Sequence, residues 1–312
     1  MLEKARERGD SARSVGDLIV EVGLHFLDAP YEAGTLEQKG PEGLVVNLRT
    51  FDCVTFVENA VVLAGMIRAG KTAFRDYAAA LERIRYRGGR RDGYPSRLHY
   101  FTDWLRDNGR KGVIREITRD LGGIPFRKAF HELTDRREEH PPLRAAAAFR
   151  RMRIVEAACS RRKLHFIPKA DFRGIEKRIE NGDIIAIATA TNGIDVSHTG
   201  IAVRLRGRLH LLHASSSAGR VVLSDITLHR YLQARCARTG IIIGRAIASD
   251  GVKQGVDRRV VEGDLPEDLP DEVRRHLVEL LLPRGDDHPA HIHGAGADEK
   301  SLLSFKEIGC RP

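Results

Sequence analysis

The first half of the chain repeats its apolar residues at helical spacing. Residues 14–28 place apolar side chains every three or four positions, and residues 53–69 do the same with Val54, Val57 and Val61. That period puts the apolar residues on one face of an amphipathic helix. Gly70 is a stop signal for the second of these helices. Further helices are predicted over 74–86, 97–108 and 143–162.

The pattern changes after Pro168, where apolar residues come in short runs rich in β-branched side chains. Turn residues separate these runs, which is typical of an antiparallel meander or a small barrel. The predicted strands cover 183–189, 198–206, 208–215, 220–225 and 239–246. Helices followed by strands predict an α+β fold. Residues 247–312 are charged and weakly patterned, apart from one short predicted helix over 270–282, and we interpret them as an appendage.

The charge balance favours an anionic partner. The 312 residues carry a formal net charge of +9, which suits nucleic acid, an anionic cell wall or a lipid surface. An arginine-rich composition by itself is the competing explanation. The sequence contains no basic motif interleaved with aromatic residues, no zinc knuckle and no Walker loop, so nucleic acid is disfavoured as a partner.

The sequence predicts no transmembrane segment, because its longest purely apolar run is only a handful of residues. The opening stretch MLEKARERGDSAR is charged and lacks the apolar region of a signal peptide. We therefore expect a cytoplasmic protein, or a chain that begins after a removed leader or at a misassigned start.

The four cysteines, at positions 53, 159, 236 and 310, form no C-x-x-C pair. A zinc site built from clustered thiols is therefore not expected, and the spacing does not indicate a disulfide framework. Cys159 and Cys236 lie in helical or apolar surroundings and are predicted to be buried small side chains. Cys310 lies in the tail and is predicted to be exposed.

Cys53 stands where a helix is predicted to begin, with Asp52 at the cap. The unpaired N–H groups and partial positive charge of a helix N-terminus favour a thiolate over a thiol. The same N–H groups can hold a developing oxyanion. One position thus offers a nucleophile and its oxyanion site, while a buried structural thiol is the competing interpretation.

A thiol nucleophile needs a general base, and one predicted hairpin supplies two histidines. A two-residue turn after Leu205 pairs strands 198–206 and 208–215, so that Gly200 lies opposite His213 and His198 opposite Ser215. The two histidines are then diagonal neighbours, roughly 7–8 Å apart at Cβ. His198 is a candidate base and His213 a candidate orienting residue, with Ser215 as its rival.

Two alternatives remain for these histidines. They can be structural residues of a hairpin, or two ligands of a zinc ion for which no third ligand stands at readable spacing. A second histidine cluster, at positions 288, 291 and 293, is a weak candidate for metal binding. We expect neither a metal nor a cofactor.

These motifs resemble the NlpC-type cysteine peptidases, which are papain-like hydrolases of bacterial peptidoglycan. The resemblance lies in APY at 29–31, FDCVTFVENA at 51–60, SHTGIAV at 197–203 and LLHASS at 211–216. The N-acetylmuramoyl-L-alanine amidase-like family is more similar still, through PYEAGTLE, LVVNLRTFDCVTFVEN, YPSRLHYFTDWLRDN, GDIIAIAT, GIDVSHTGIA, LLHASS and TGIIIGR. This resemblance covers residues 14–246, with a helical insertion at about 87–150.

The resemblance implies a papain-like α+β core and a catalytic triad of Cys53, His198 and His213. It implies substrate contacts from a wider set of residues, which we take as Tyr31, Asp52, Arg97, His99, Tyr100 and Ser215. The insertion, which also carries Tyr94, Ser96 and Trp104, is expected to help form the substrate groove.

The implied activity is hydrolysis of an amide in peptidoglycan or a muropeptide, with the N-acetylmuramoyl-L-alanine bond as the expected target. A D-glutamyl-diaminopimelate endopeptidase is one alternative, and a non-catalytic cell-wall binding protein on the same fold is another. Such a substrate implies the periplasm or cell envelope, although no signal peptide is visible.

Overall fold

A computed structural model of the protein describes residues 1–38 and 40–247. Nine α-helices are described in these ranges: α1 Leu2–Glu7, α2 Val15–His25, α3 Cys53–Arg68, α4 Phe74–Arg85, α5 Phe101–Arg110, α6 Glu132–Asp135, α7 Ala146–Ser160, α8 Phe172–Ile175 and α9 Leu228–Gln233. The predicted helices over 14–28, 53–69, 74–86 and 143–162 correspond to α2, α3, α4 and α7. The helix predicted over 97–108 begins only at Phe101, since Tyr94–Ser96 form a 3-10 turn and the residues after it are extended.

The strands form one antiparallel sheet. They are β1 Ile114–Glu116, β2 Ile124–Phe126, β3 Leu164–Pro168, β4 Ile184–Thr189, β5 Val196–Leu205, β6 Arg208–Ser215, β7 Arg220–Leu223 and β8 Arg238–Ala246. Their order across the sheet is β2-β3-β8-β4-β5-β6-β7, and β1 pairs with the part of β8 that β3 leaves uncovered. The α+β prediction is confirmed.

The predicted meander is present, but the predicted barrel is not. Strands β4 to β7 follow one another as hairpins, whereas β8 pairs with β4. Among the described residues the two end strands, β2 and β7, do not pair with each other, so the sheet is open. Closure of the five predicted strands into a barrel would require β8, which already pairs with β4, to pair with β7 as well.

The turn between β5 and β6 fixes the register of the hairpin that carries both histidines. Arg206 and Gly207 have φ values of 47° and 73°, as the tight two-residue turns that match strand twist require. The ladder pairs Leu205 with Arg208 and continues to Ile201 opposite Leu212. The predicted register is confirmed over these pairs.

Both faces of the sheet are covered. Ala202, Leu209 and Leu211 pack beneath α8 and α9 with residues of β4 and β8. On the other face, a Cβ at Gly23 of α2 would come within 3.4 Å of Leu212, Phe56 and Ile201 side chains, so α2 and α3 lie close against the sheet. Burial on two faces explains why the central strands are almost continuously apolar.

Several expectations need correction or lie outside the described residues. The segment 87–150 contains strands β1 and β2, so it is not wholly helical. Cys159 is buried as predicted, whereas Cys236 is exposed. The short helix at 270–282, Cys310, the histidines at 288–293 and all of the predicted appendage beyond Ile247 fall outside the described residues. Within them, no helix is long and apolar enough to cross a membrane.

Candidate active site

Helix α3 begins at Cys53, and a capping box defines that start. Oδ1 of Asp52 accepts hydrogen bonds from the N–H groups of Val54 and Thr55, at 3.0 and 2.7 Å. In return, the hydroxyl of Thr55 accepts from the N–H of Asp52 at 2.9 Å. This reciprocal pattern satisfies N–H groups that the first helical turn leaves free. The predicted helix start is confirmed, and Asp52 is engaged in holding it.

The thiol of Cys53 is protonated at neutral pH. Burial raises its pKa to about 12, and the adjacent carboxylate of Asp52 contributes to the rise. The N–H groups of Thr199, Cys53 and Val54 lower the pKa without offsetting burial. The N–H groups at the helix start thus lower the pKa of the thiol in the expected direction, but desolvation is the larger effect.

Tyr31 lies beside this thiol. An isolated parallel bridge pairs Tyr31 with Phe51, and the N–H of Tyr31 donates to the carbonyl of Gly219 at 2.8 Å. Burial, together with smaller electrostatic contributions from Cys53 and Asp52, raises the pKa of the phenol to about 12. The Tyr31 hydroxyl consequently stays protonated and can donate a hydrogen bond at the edge of the site.

His198 and His213 form a hydrogen-bonded pair. Nε2 of His198 and Nδ1 of His213 are 2.7 Å apart, and the two rings are nearly perpendicular, at 86°. Gly200 makes the pairing possible, because a Cβ there would lie 2.9 Å from the Cβ of His213. The structure therefore places His213 against the His198 ring, as the hairpin register predicted.

Both imidazoles are neutral at neutral pH. Burial lowers the pKa of His213 to about 4 and that of His198 well below its usual value, and the positive charge of Arg238 lowers both. In a neutral pair, one of the two facing nitrogens carries the shared proton. When Nε2 of His198 carries it, Nδ1 of His198 keeps the lone pair that a general base needs.

Two features of the site have no signal in the sequence pattern. The N–H of Thr199, just beyond the point where the β5–β6 ladder ends, acts on the Cys53 thiol and lowers its pKa. The ring of Tyr231, on α9, lies 5.5 Å from the His213 ring and 6.3 Å from the His198 ring, measured between centroids. Both depend on tertiary packing, so local periodicity does not reveal them.

Comparison with known proteins places the chain in a family. A family model of N-acetylmuramoyl-L-alanine amidase-like proteins matches residues 21–241, which is more than half of the chain. The chain belongs to this family. No curated protein matches the chain.

Solved structures agree with the family match. An N-acetylmuramoyl-L-alanine amidase from Bacteroides uniformis is 34% identical to this amidase-like protein, with a TM-score of 0.71, and the match covers 75% of this chain and 99% of that one. A Bacteroides fragilis protein, named as a candidate xylanase, is 39% identical with a TM-score of 0.67, covering 72% and 99%. A Legionella pneumophila protein is 20% identical with a TM-score of 0.57, covering 79% and 93%, and shares the fold alone.

In this amidase-like protein Arg97 is engaged with the loop that leads to Cys53. Its guanidinium donates to the carbonyl of Leu36 at 2.9 Å and to Glu37 at 2.7 Å, and it lies 3.5 Å from Glu42. We call these residues the Arg97 clamp. Its carboxylates raise the pKa of Arg97 despite the burial of the side chain. The clamp gives Arg97 a structural role, and its predicted contact with substrate stays a prediction.

The other predicted substrate residues also have partners inside the protein. Nε2 of His99 lies 2.9 Å from the carbonyl of Tyr94. The hydroxyl of Tyr100 donates to Glu156 at 2.6 Å, and its ring is buried against Phe130. These contacts tie the segment 87–150 together. The substrate roles of His99 and Tyr100 stay predictions.

Ser215, the rival of His213, belongs to the turn that follows β6. Its hydroxyl lies 3.1 Å from that of Ser217 and accepts from the N–H of Ala218 at 3.2 Å. Because the His198 ring is bonded to His213, the geometry favours His213 as the orienting residue.

Two further observations concern where ligands can bind. Among the described residues no cluster of three or more His, Cys, Asp or Glu side chains could hold a metal ion. A cleft of about 390 Å³ lies on α5, β1 and β3, lined by Arg106, Arg110, Arg115 and Lys163 among others. It shares no residue with the Cys53 site, so its size says nothing about the chemistry at Cys53.

Proposed function

We propose that this protein is a cysteine-dependent hydrolase of the N-acetylmuramoyl-L-alanine amide in peptidoglycan or muropeptides. The observation that carries the proposal is the 2.7 Å pair of His198 and His213, with His198 on the strand whose Thr199 interacts with the cysteine at the N-terminus of α3. Membership of the amidase-like family supports the substrate. We further infer that the cysteine helix and histidine strands form an NlpC-type, papain-like core.

The resting site holds a neutral thiol and neutral imidazoles, so catalysis begins with a proton transfer. His198 takes the thiol proton on Nδ1 as the Cys53 sulfur attacks the lactyl carbonyl of the muramoyl group. Its Nε2–H remains bonded to His213, which fixes the tautomer needed for this step. Ionisation that occurs only during attack makes the raised pKa of the thiol compatible with nucleophilic catalysis.

The carbonyl oxygen becomes an oxyanion in the transition state. Two donors near the sulfur are the N–H of Cys53 at the start of α3 and the protonated hydroxyl of Tyr31, whereas the N–H of Val54 is already bonded to Asp52. Donors fixed before the reaction stabilise developing charge without reorganising. We assign oxyanion stabilisation to these two groups.

Collapse of the tetrahedral intermediate breaks the C–N bond. The imidazolium of His198 gives its proton to the leaving amine of L-alanine, and the muramoyl group remains on Cys53 as a thioester. Water, deprotonated by the neutral His198, then hydrolyses the thioester and releases the muramoyl carboxylate and the free thiol. Because this polymer lies outside the cytoplasm, we place the working enzyme in the cell envelope.

A muropeptide digest tests the proposal. Purified sacculi and defined muropeptides are incubated with the parent protein and with Cys53→Ala, and the products are identified by mass spectrometry. We expect intact stem peptides that begin at L-alanine, formed by the parent alone. Cys159→Ala is the matched control, because its thiol is buried away from the site.

Other products would revise the proposal in defined ways. Fragments that end at D-glutamate would keep the mechanism and move the scissile bond. Binding of sacculi without any product would favour a non-catalytic wall protein. Because one solved neighbour is named as a candidate xylanase, xylan is included as a substrate, and its cleavage by Cys53→Ala would overturn the cysteine mechanism.

A further inference from the structure

Arg238 holds the ring of Tyr231 against the two histidines. Arg238 is the first residue of β8, and its guanidinium carbon lies 3.7 Å from the centre of the Tyr231 ring. Its Nη1 also donates a hydrogen bond to the backbone carbonyl of Tyr231. A guanidinium over an aromatic face is attracted by the ring quadrupole. Arg238 thus holds Tyr231 in two ways, through the face of the ring and through the backbone carbonyl of the residue.

The Tyr231 ring in turn contacts both imidazoles. It meets His213 edge to face at 72° and His198 in a tilted arrangement at 35°. The two imidazole centroids are 4.7 Å apart, so the three rings are mutually in contact. Rotation of either imidazole about its χ2 angle would turn its bonded nitrogen away and break the hydrogen bond.

We propose that Tyr231, held by Arg238, is a positioning residue that keeps Nε2 of His198 facing Nδ1 of His213. The proposal rests on the proposed function only for its effect on turnover. The orientation of the two rings is a property of the folded protein and can be measured without substrate.

The charge of Arg238 gives the arrangement a second consequence. It acts on both imidazoles and favours their neutral forms, after burial. The groups that face the pair are Arg238 from β8, the Tyr231 phenol from α9 and, within electrostatic reach of that phenol, the Cys53 thiol from α3. The phenol and the thiol are uncharged at neutral pH, so Arg238 is the cation that acts on the pair.

The first test is a titration of the histidine rings by NMR, in the full-length protein without substrate. Arg238→Gln is expected to raise the pH of half-protonation of His213 by about one unit, the size of effect that a nearby charge exerts. Arg238→Lys retains the charge and should titrate like the parent. Arg235→Gln is the matched control on the same segment. An unchanged titration in Arg238→Gln would overturn the role of Arg238.

The second test replaces the ring. Tyr231→Leu is expected to abolish the nitrogen–nitrogen coupling through the His198–His213 hydrogen bond, while Tyr231→Phe restores it because the ring remains. In turnover, Tyr231→Leu should lower kcat about tenfold with little change in KM, since the base loses its orientation and substrate binding does not. Persistence of the coupling in Tyr231→Leu would overturn the proposal.

The two kinds of failure are distinguishable. If the parent cleaves no muropeptide, the proposed function fails, yet the ring titration and the coupling still decide whether Tyr231 positions the histidines. Thermal unfolding of each variant accompanies these measurements. A Tyr231→Phe variant that keeps the parent fold and still lacks the coupling also counts against the proposal.

Discussion

Two polar regions lie next to the segment that leads into α3: the Arg97 clamp and the candidate active site around Cys53. They differ in whether their titratable groups have a partner of opposite charge. In the Arg97 clamp a cation lies against the carboxylates of Glu37 and Glu42, and the pKa of Arg97 is raised. At the site, Cys53 and His198 lack such a counter-charge, and burial keeps both neutral. Paired charges hold a loop in place, whereas unpaired titratable groups are free to exchange a proton.

Replacing the nucleophile should have the largest effect on activity and little effect on stability. We expect Cys53→Ala to lower kcat at least about 10⁴-fold, because the covalent route is removed. The free energy of unfolding should change by less than about 1 kcal/mol, since a partly buried thiol without a charged partner is lost. Urea unfolding monitored beside the muropeptide assay measures both quantities. If Cys53→Ala lost as much stability as a variant of Arg97 in the clamp, the two regions would not differ in the way described above.

The clamp should show the opposite behaviour. We expect Arg97→Met to lower the free energy of unfolding by about 2–3 kcal/mol, because the carboxylate of Glu42 remains buried without its cation. The value is discounted from that of a fully buried pair, since the Glu37 side chain is 43% exposed. Arg90→Met, at an exposed position, is the control for urea unfolding. Equal stability of the two variants would show that the clamp is not structural.

The orienting residue can be tested within the site itself. His213→Ala should lower kcat by about tenfold or more, because a misoriented imidazole loses part of the 10²–10⁴ that a general base contributes. Ser215→Ala should stay within about threefold of the parent, since its hydroxyl is bonded in a turn. Single-turnover rates at saturating substrate measure the effect. The reverse ranking would transfer the orienting role to Ser215.

The sequence predicted those parts of the site that local geometry determines. A two-residue turn sets the hairpin register, and with it the pairing of His198 and His213. A capping residue marks the helix start, and with it the position of Cys53. Neither requires knowledge of what packs on top of the sheet.

The parts that escaped prediction depend on contacts distant in sequence. The pKa of Cys53 includes the desolvation caused by the whole surrounding fold, which a helix-end argument leaves out. The position of Tyr231 depends on how α9 folds back over the sheet. The pairing of β8 with β4 joins strands some fifty residues apart, and the predicted barrel is absent from the described residues because β8 does not also pair with β7. Burial of Tyr100 in the segment 87–150 has the same origin.

The smallest expected effect is on the pH dependence of stability, measured by unfolding the protein at a series of acidic pH values. The pKa of a buried histidine is lower in the folded protein than in the unfolded chain. Below about pH 6.5 the unfolded chain therefore binds more protons than the folded protein does. Stability is therefore complete above that pH and falls as the pH drops toward about 4, the folded value for His213. The expected slope is up to about 1.4 kcal/mol per pH unit for each such histidine.

Arg97 should add nothing to this slope, because its pKa is raised and its side chain stays charged throughout the range. His99 and His140 also have lowered pKa values and contribute a background. The double variant His198→Gln and His213→Gln removes the contribution of the two site histidines to the pH dependence of stability. Its free energy of unfolding should fall less steeply than that of the parent between pH 6.5 and 4. Equal slopes for parent and variant would mean that burial does not lower the pKa values of the two imidazoles of the site.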